Sequence, residues 1–141
     1  MSANMNIRIE MRVEGLAEVE RWLDTKFPDL LEDASNEALD VTLDDSIRKA
    51  KELVRVDTGA LQKSIRKERR SRPAGFFVYQ GFRAGGHIRN PKTGKLVDYA
   101  RPNEYGTSKM LPQPFMRPAF KYGLKRFKGH FRKSWNRRRP R

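Results

Sequence analysis

The triplet most open to a chemical reading is Asp57-Thr58-Gly59. Asp57 and Thr58 can be taken as a base and a nucleophile, and Asp-Thr-Gly also suits paired-carboxylate hydrolysis. That second chemistry needs a flanking apolar strand and a second copy of the triplet. Here the triplet follows a helical pattern and stands among basic residues. The expected role is therefore structural: Asp57 or Thr58 caps a turn and Gly59 reverses the chain. His87 and His130 are the only histidines, and neither has metal-ligand spacing to another ligand. Both are expected at the surface. Gly81-Phe82-Arg83-Ala84-Gly85-Gly86 has the composition of a phosphate loop, but no Gly-Lys-Ser/Thr and no helix start follow it. A flexible loop is expected there. The chain contains no cysteine, which excludes disulfides, thiol catalysis and cysteine metal sites. The residues thus point to no enzyme, no cofactor and no metal.

Charge is more informative. The net charge is +14, but residues 1–54 hold 7 Lys/Arg against 13 Asp/Glu, and residues 55–141 hold 24 against 4. An acidic front and a basic back can pair head to tail between copies, or present one basic face to nucleic acid or an acidic partner. The candidate basic contact surface is Arg83, Arg89, Lys92, Lys95, Lys121, Lys125, Arg126, Lys128, Arg132 and Lys133. No run of 18 apolar residues occurs, and the N-terminus lacks the apolar stretch of a signal peptide. No membrane contact and a cytoplasmic site of synthesis are expected. A length of 141 residues with 37% hydrophobic residues fits one domain with a modest core.

The elements that would position these residues follow from periodicity. Ile7, Ile9, Met11 and Val13 alternate with charged residues, giving a strand that ends at Gly15. A short helix follows from Leu16 to about Phe27, and Pro28 is expected to break it and start the next. That second helix spans roughly 29–54, with Leu39, Leu43, Ile47, Ala50 and Val54 as its stripe. Residues 65–71 and 75–82 read as two strands joined at 72–75, the first at an edge or on a solvated face. Residues 83–97 read as a flexible basic hairpin with its turn at Asn90–Gly94. The last helix is expected from Pro118 to Trp135, with Phe120, Leu124, Phe127, Phe131 and Trp135 as its apolar stripe. The aromatic stripe is expected in the core rather than against lipid. One domain covers residues 1–136, and 137–141 form a basic tail.

Three ordered motifs add to this reading. VDTGALQKSI, DYARPNEYGT and LPQPFMRPAF follow a helix ending AKELV. Together they resemble the tail-completion or head–tail joining family of tailed bacteriophages, over roughly residues 30–125. The matching residues are Ala50, Lys51, Asp57, Thr58, Gly59, Leu61, Ser64, Ile65, Tyr99, Ala100, Glu104, Gly106, Thr107, Gln113, Pro114, Phe115, Pro118 and Ala119. The chain departs from the family pattern at Arg55, where a proline is usual, in the inserted loop 83–96, and in its Arg-rich end. The resemblance implies an α+β fold, a small, mainly antiparallel sheet packed by a long central helix and a basic C-terminal helix, in a non-enzymatic virion protein of the phage neck assembled in the host cytoplasm. It would form a homo-oligomeric ring at the head-proximal end of the tail and help join tail to head. Its partners would be the connector or adaptor proteins and the tail tube or tail terminator proteins.

In that setting Met110, Leu111, Pro112, Pro114, Phe115, Met116 and Pro118 are the candidate subunit interface. Pro112 and Pro114 hold the backbone extended at low entropic cost on binding. Gly106 would permit the turn into the segment, and Pro118 would start the final helix. The segment either enters a groove on a neighbouring subunit or packs on its own sheet. The basic surplus either faces DNA in the channel without sequence preference or docks on acidic rims of neighbours. A different class of function stays open: a basic nucleic-acid-binding protein using Phe76, Phe77, Tyr79 and Phe82 on its sheet. Alternation allows only half of those rings to share one face.

Overall fold

The computed structural model describes residues 16–71 and 78–140, with backbone alone for Leu16, 69–71 and 78–80. The expected strand at 7–13, the turn at 72–75, Phe76 and Phe77 lie outside the described residues, as does the ring of Tyr79. The elements are α1 (Leu16–Leu53), α2 (Ala60–Ser64), β1 (Arg66–Ser71), β2 (Val78–Arg83), α3 (Ala100–Tyr105) and α4 (Met116–Arg138). The fold is α+β. β1 and β2 form a two-stranded antiparallel sheet with Arg66 opposite Arg83 and Ser71 opposite Val78. The sheet lies against α1, where Lys67 Nζ of β1 bridges Asp40 at 2.9 Å and Asp44 at 2.8 Å.

The first correction concerns Pro28. The two expected helices are one helix of 38 residues with Pro28 inside it, about 57 Å long at 1.5 Å per residue. Proline costs a helix the bond to the carbonyl four residues back. That carbonyl belongs to Asp24, and both residues face solvent, so water can satisfy it. The neighbouring Phe27 ring packs on Trp22 at 5.5 Å and on Trp135 of α4 at 5.6 Å, which holds the helix through the proline.

α4 runs antiparallel to α1, with Trp135 near Phe27, His130 near Asp45 and Tyr122 near Lys49. The seam between them is made of small residues. On α1 these are Ala34, Ala38, Thr42, Ser46 and Ala50, four apart throughout, and on α4 they include Ala119, Gly123 and Ser134, all buried. A Cβ added at Gly123 would overlap Ser46 Oγ and come within 2.9 Å of the Thr42 carbonyl oxygen. Small residues let the two backbones approach closely and gain dispersion contacts along their length.

The apolar stripe expected on α4 therefore sits one residue past the true seam. Phe120 and Leu124 are 51% and 56% exposed, while Phe127, Phe131 and Trp135 are half-buried. One residue around an α-helix is about 100°. α4 thus carries three neighbouring stripes: small residues against α1, large apolar residues half in solvent, and then exposed Lys121, Lys125, Lys128 and Arg132. The remaining core lies where α1 ends. Ala50, Val54, Ala60, Leu61, Ile65, Val97, Ala100, Phe115 and Ala119 pack together there.

Two boundaries also move. α4 begins at Met116 rather than Pro118 and continues to Arg138 rather than Trp135. Arg137 and Arg138 belong to the helix, not to a free tail, because both guanidinium groups pair with the Glu37 carboxylate on α1. The Ser134 hydroxyl donates to the same carboxylate at 2.6 Å.

Candidate interaction site

The motif residues converge around α3. At its C-terminal end the Glu104 side chain is buried and reaches the first turn of α4. Its carboxylate accepts hydrogen bonds from the backbone N–H of Phe115 (2.8 Å), Met116 (2.9 Å) and Arg117 (3.0 Å). The next residue is Pro118, which has no N–H, and Ala119 N–H makes the first intrahelical bond to the Phe115 carbonyl. Every amide at the start of α4 is thereby satisfied. A carboxylate also suits the positive end of the helix dipole. Burial alone would raise the Glu104 pKa, but the three amides and the Arg117 guanidinium outweigh it and hold it below the usual carboxylate range.

The segment between Glu104 and α4 is a fixed loop. Gly106 adopts φ 74°, and a Cβ there would lie 2.8 Å from the Met110 carbonyl oxygen and 2.9 Å from Pro112. Thr107 and Met110 exchange backbone hydrogen bonds of 2.8 and 3.3 Å. Gln113 N–H then donates to the Asn103 carbonyl at 2.7 Å. The loop leaves α3, turns back at 107–110 and is tied to α3 again at 113. Ser108 and Lys109 form the turn, and Leu111 follows it, 82% exposed, with Pro112 and Pro114 exposed beside it and Met110 half-buried.

Phe115 is a correction to the expected interface: its side chain is fully buried in the core, so it anchors the loop instead of contacting a neighbour. Met116 is half-buried against the same core, and Pro118 is exposed in the first turn of α4.

The other motif residues lie on the opposite side of α3. Gly59, at φ 74°, caps α2, and Thr58 Oγ1 accepts a 3.4 Å hydrogen bond from Ala60 N–H. Asp57 makes no cap; its carboxylate pairs with Lys92 Nζ at 2.6 Å. Asp57, Thr58, Gly59 and Leu61 line one wall of an open cleft of about 300 Å³, with Tyr99 and Asn103 on the other. Ser64 is fully buried; its hydroxyl donates to the Leu61 carbonyl at 2.6 Å and accepts from Gly85 N–H at 2.8 Å. Gly85 is thus a packing residue at the base of the 83–97 hairpin. The hairpin turns at Asn90–Gly94 and is pinned by the buried Val97, whose N–H bonds the Ile88 carbonyl at 2.8 Å.

The ten basic candidates divide into two groups. Arg83 pairs with Glu68 at 3.7 Å, Lys92 with Asp57, and Arg126 with Asp45 at 3.6 Å. Arg89 donates to the Gly94 carbonyl of its own hairpin. Lys95, Lys121, Lys125, Lys128, Arg132 and Lys133 are exposed, and five of the six lie on α4. His130 was expected at the surface, but its Nε2 lies 2.9 Å from Asp45 inside the helix seam. Sequence reasoning missed both Asp45 and Glu37, because their partners on α4 lie 81 to 101 positions away.

Among the described residues no group of three or more His, Asp or Glu side chains is placed to hold a metal ion. No described helix is long and apolar enough to cross a membrane. The chain gives no match to protein-family models, to curated proteins or to solved structures.

Proposed function

We propose that this chain is a structural, self-assembling subunit of a phage neck. It would form a ring at the head-proximal end of the tail, where it helps join tail to head in the virion. The observation that carries the reading is the loop held by Glu104. A buried carboxylate and a core phenylalanine fix a short proline-bearing segment in which Leu111 is 82% exposed. An exposed leucine on a pre-organised loop is suited to contact, since little entropy is left to lose on binding. The ordered motifs support the same reading, because Glu104, Gly106, Pro114, Phe115 and Pro118 all serve that one loop and the helix behind it. The neighbours would be connector or adaptor proteins on one side and tail tube or terminator proteins on the other. Assembly would take place in the host cytoplasm.

A second reading is favoured by the exposed row Lys121, Lys125, Lys128 and Arg132, with no Asp or Glu after Glu104. Such a row can bind nucleic acid through phosphates, in the ring channel or in a free-standing protein. Light scattering and negative-stain images of the purified protein separate the two. Closed rings that Leu111→Asp abolishes, without loss of fold, are expected for the neck subunit. A monomer that binds duplex DNA tightly at physiological salt, with a steep salt dependence, would overturn that reading in favour of the second.

A further inference from the structure

The stripe of α1 that packs on α4 does not stop where α4 stops. Going back from Ala34 it continues through Leu30, Phe27, Leu23 and Val19, spaced 4, 3, 4 and 4. Phe27 reaches Trp135, close to the end of α4. Val19 and Leu23 lie beyond it, 53% and 47% exposed. They are flanked by exposed Glu18, Glu20 and Asp24, against Arg21 and Lys26. This overhang is a helix end with an acidic excess, and none of the described residues covers its apolar stripe.

A surface of opposite character lies at the other end of the helix pair. Phe120 and Leu124 are half-exposed on α4 beside exposed Arg117, Lys121 and Lys125. Phe82, Met116 and Phe120 line an open apolar groove of about 300 Å³ there. The two surfaces cannot meet within one chain. Val19 lies about 12 Å beyond Phe27 along α1, and Phe120 lies about 22 Å from Trp135 along α4 in the opposite sense, at 1.5 Å per residue. A continuous helix cannot fold back across that distance.

We propose that the overhang of one copy, through Val19 and Leu23, docks on the Phe120–Leu124 face of α4 of a second copy. The proposal rests on the reading of the chain as a self-assembling subunit and adds a second contact to that of the Leu111 loop. The occupant is a second copy because the charges match. Glu20 and Asp24 would face Lys121 and Lys125, which orients the contact and discriminates against like-charged pairings. The contact is heterologous, so each copy uses one surface of each kind, and the arrangement either closes into a ring or extends.

The absence of cysteine makes the test clean. Full-length Leu23→Cys and Leu124→Cys variants are mixed and treated with a short bismaleimide. A cross-linked dimer in the mixture, well above that from either variant alone, is expected. In parallel, a Glu20→Lys/Asp24→Lys variant is expected to self-associate about tenfold more weakly by light scattering, and mixing with Lys121→Glu/Lys125→Glu should restore assembly. All four positions are exposed, and circular dichroism checks the fold. If the wild type assembles but no cross-link forms and charge reversal changes nothing, the docking proposal is overturned while the self-assembling reading stands. If the wild type is monomeric at every concentration and salt, and the mixed cysteine variants give no cross-link, both fall.

Discussion

The two halves of α1 carry one apolar stripe in two sizes. From Ala34 to Ala50 its buried members are small: Ala, Ala, Thr, Ser and Ala. From Val19 to Leu30 its members are large: Val, Leu, Phe and Leu. The small half faces α4 at close range; in the large half Phe27 meets Trp135 near the end of α4, and Val19 and Leu23 overhang it. Residue size along the stripe therefore reports distance to a partner. Close-packed helices exclude large side chains, whereas a face that no described element covers can keep them. α4 shows the same division around its circumference, with Ala119 and Gly123 inside and Phe120 and Leu124 half outside.

The largest effect should come where burial is complete. Glu104→Ala leaves three backbone N–H groups at the start of α4 without their acceptor, at a cost of about 4 kcal/mol. Chemical denaturation should show it, and Glu104→Gln should lose only about half as much. Gly123→Leu forces a side chain into the seam and should cost about 3 kcal/mol, read as a fall in Tm. If it costs nothing, the helices do not approach as closely as the small residues imply.

Acid should act on the seam next. The Ser134 hydroxyl and the Arg138 and Arg137 guanidinium groups hold the Glu37 pKa down from 4.5 to about 2. A lowered folded-state pKa stabilises fully above the unfolded value. The contribution is lost as the pH falls from about 4.5 toward about 2. Urea midpoints measured across that window should fall in the wild type, and less so in Glu37→Gln. Thr42→Val works in the other direction. The Thr42 hydroxyl is buried in the seam without a hydrogen-bond partner. Removing it should raise stability by about 1 kcal/mol, visible as a higher Tm. The smallest effect belongs to the overhang, where Leu23→Glu should change stability by less than about 0.5 kcal/mol while weakening self-association. A large loss of stability in that variant would mean that the chain covers its own overhang and would dissolve the contrast between the two halves.

Element types were legible in the sequence because periodicity reports them directly. The long helix, the antiparallel pair and the amphipathic final helix all follow from spacing. Which face of α4 is buried was not legible. A row of Phe, Leu and Trp outweighs a row of Ala, Gly and Ser on any hydrophobicity scale, yet close helix packing selects the second. Pro28 misled for a related reason. The rule against proline in helices assumes that the freed carbonyl is costly, and at Asp24 it faces water. Gly59 and Gly106 were read as turn residues, and both adopt positive φ. The role of Glu104 was hidden although its place in the motif was clear. Nothing local indicates that a carboxylate will cap a helix beginning 12 positions later. Arg137 and Arg138 looked like tail residues because their partner, Glu37, is a hundred positions upstream.

The anchoring of the Leu111 loop has a mechanical side. Leu111 is joined to α4 through Pro112, Pro114 and the buried Phe115 ring, where the Glu104 carboxylate caps the helix. α4 is in turn clamped to α1 at Glu37 and Asp45. A load applied at Leu111 would pass down the whole helix pair to the far end, so that the loop and the overhang act as the two ends of one lever.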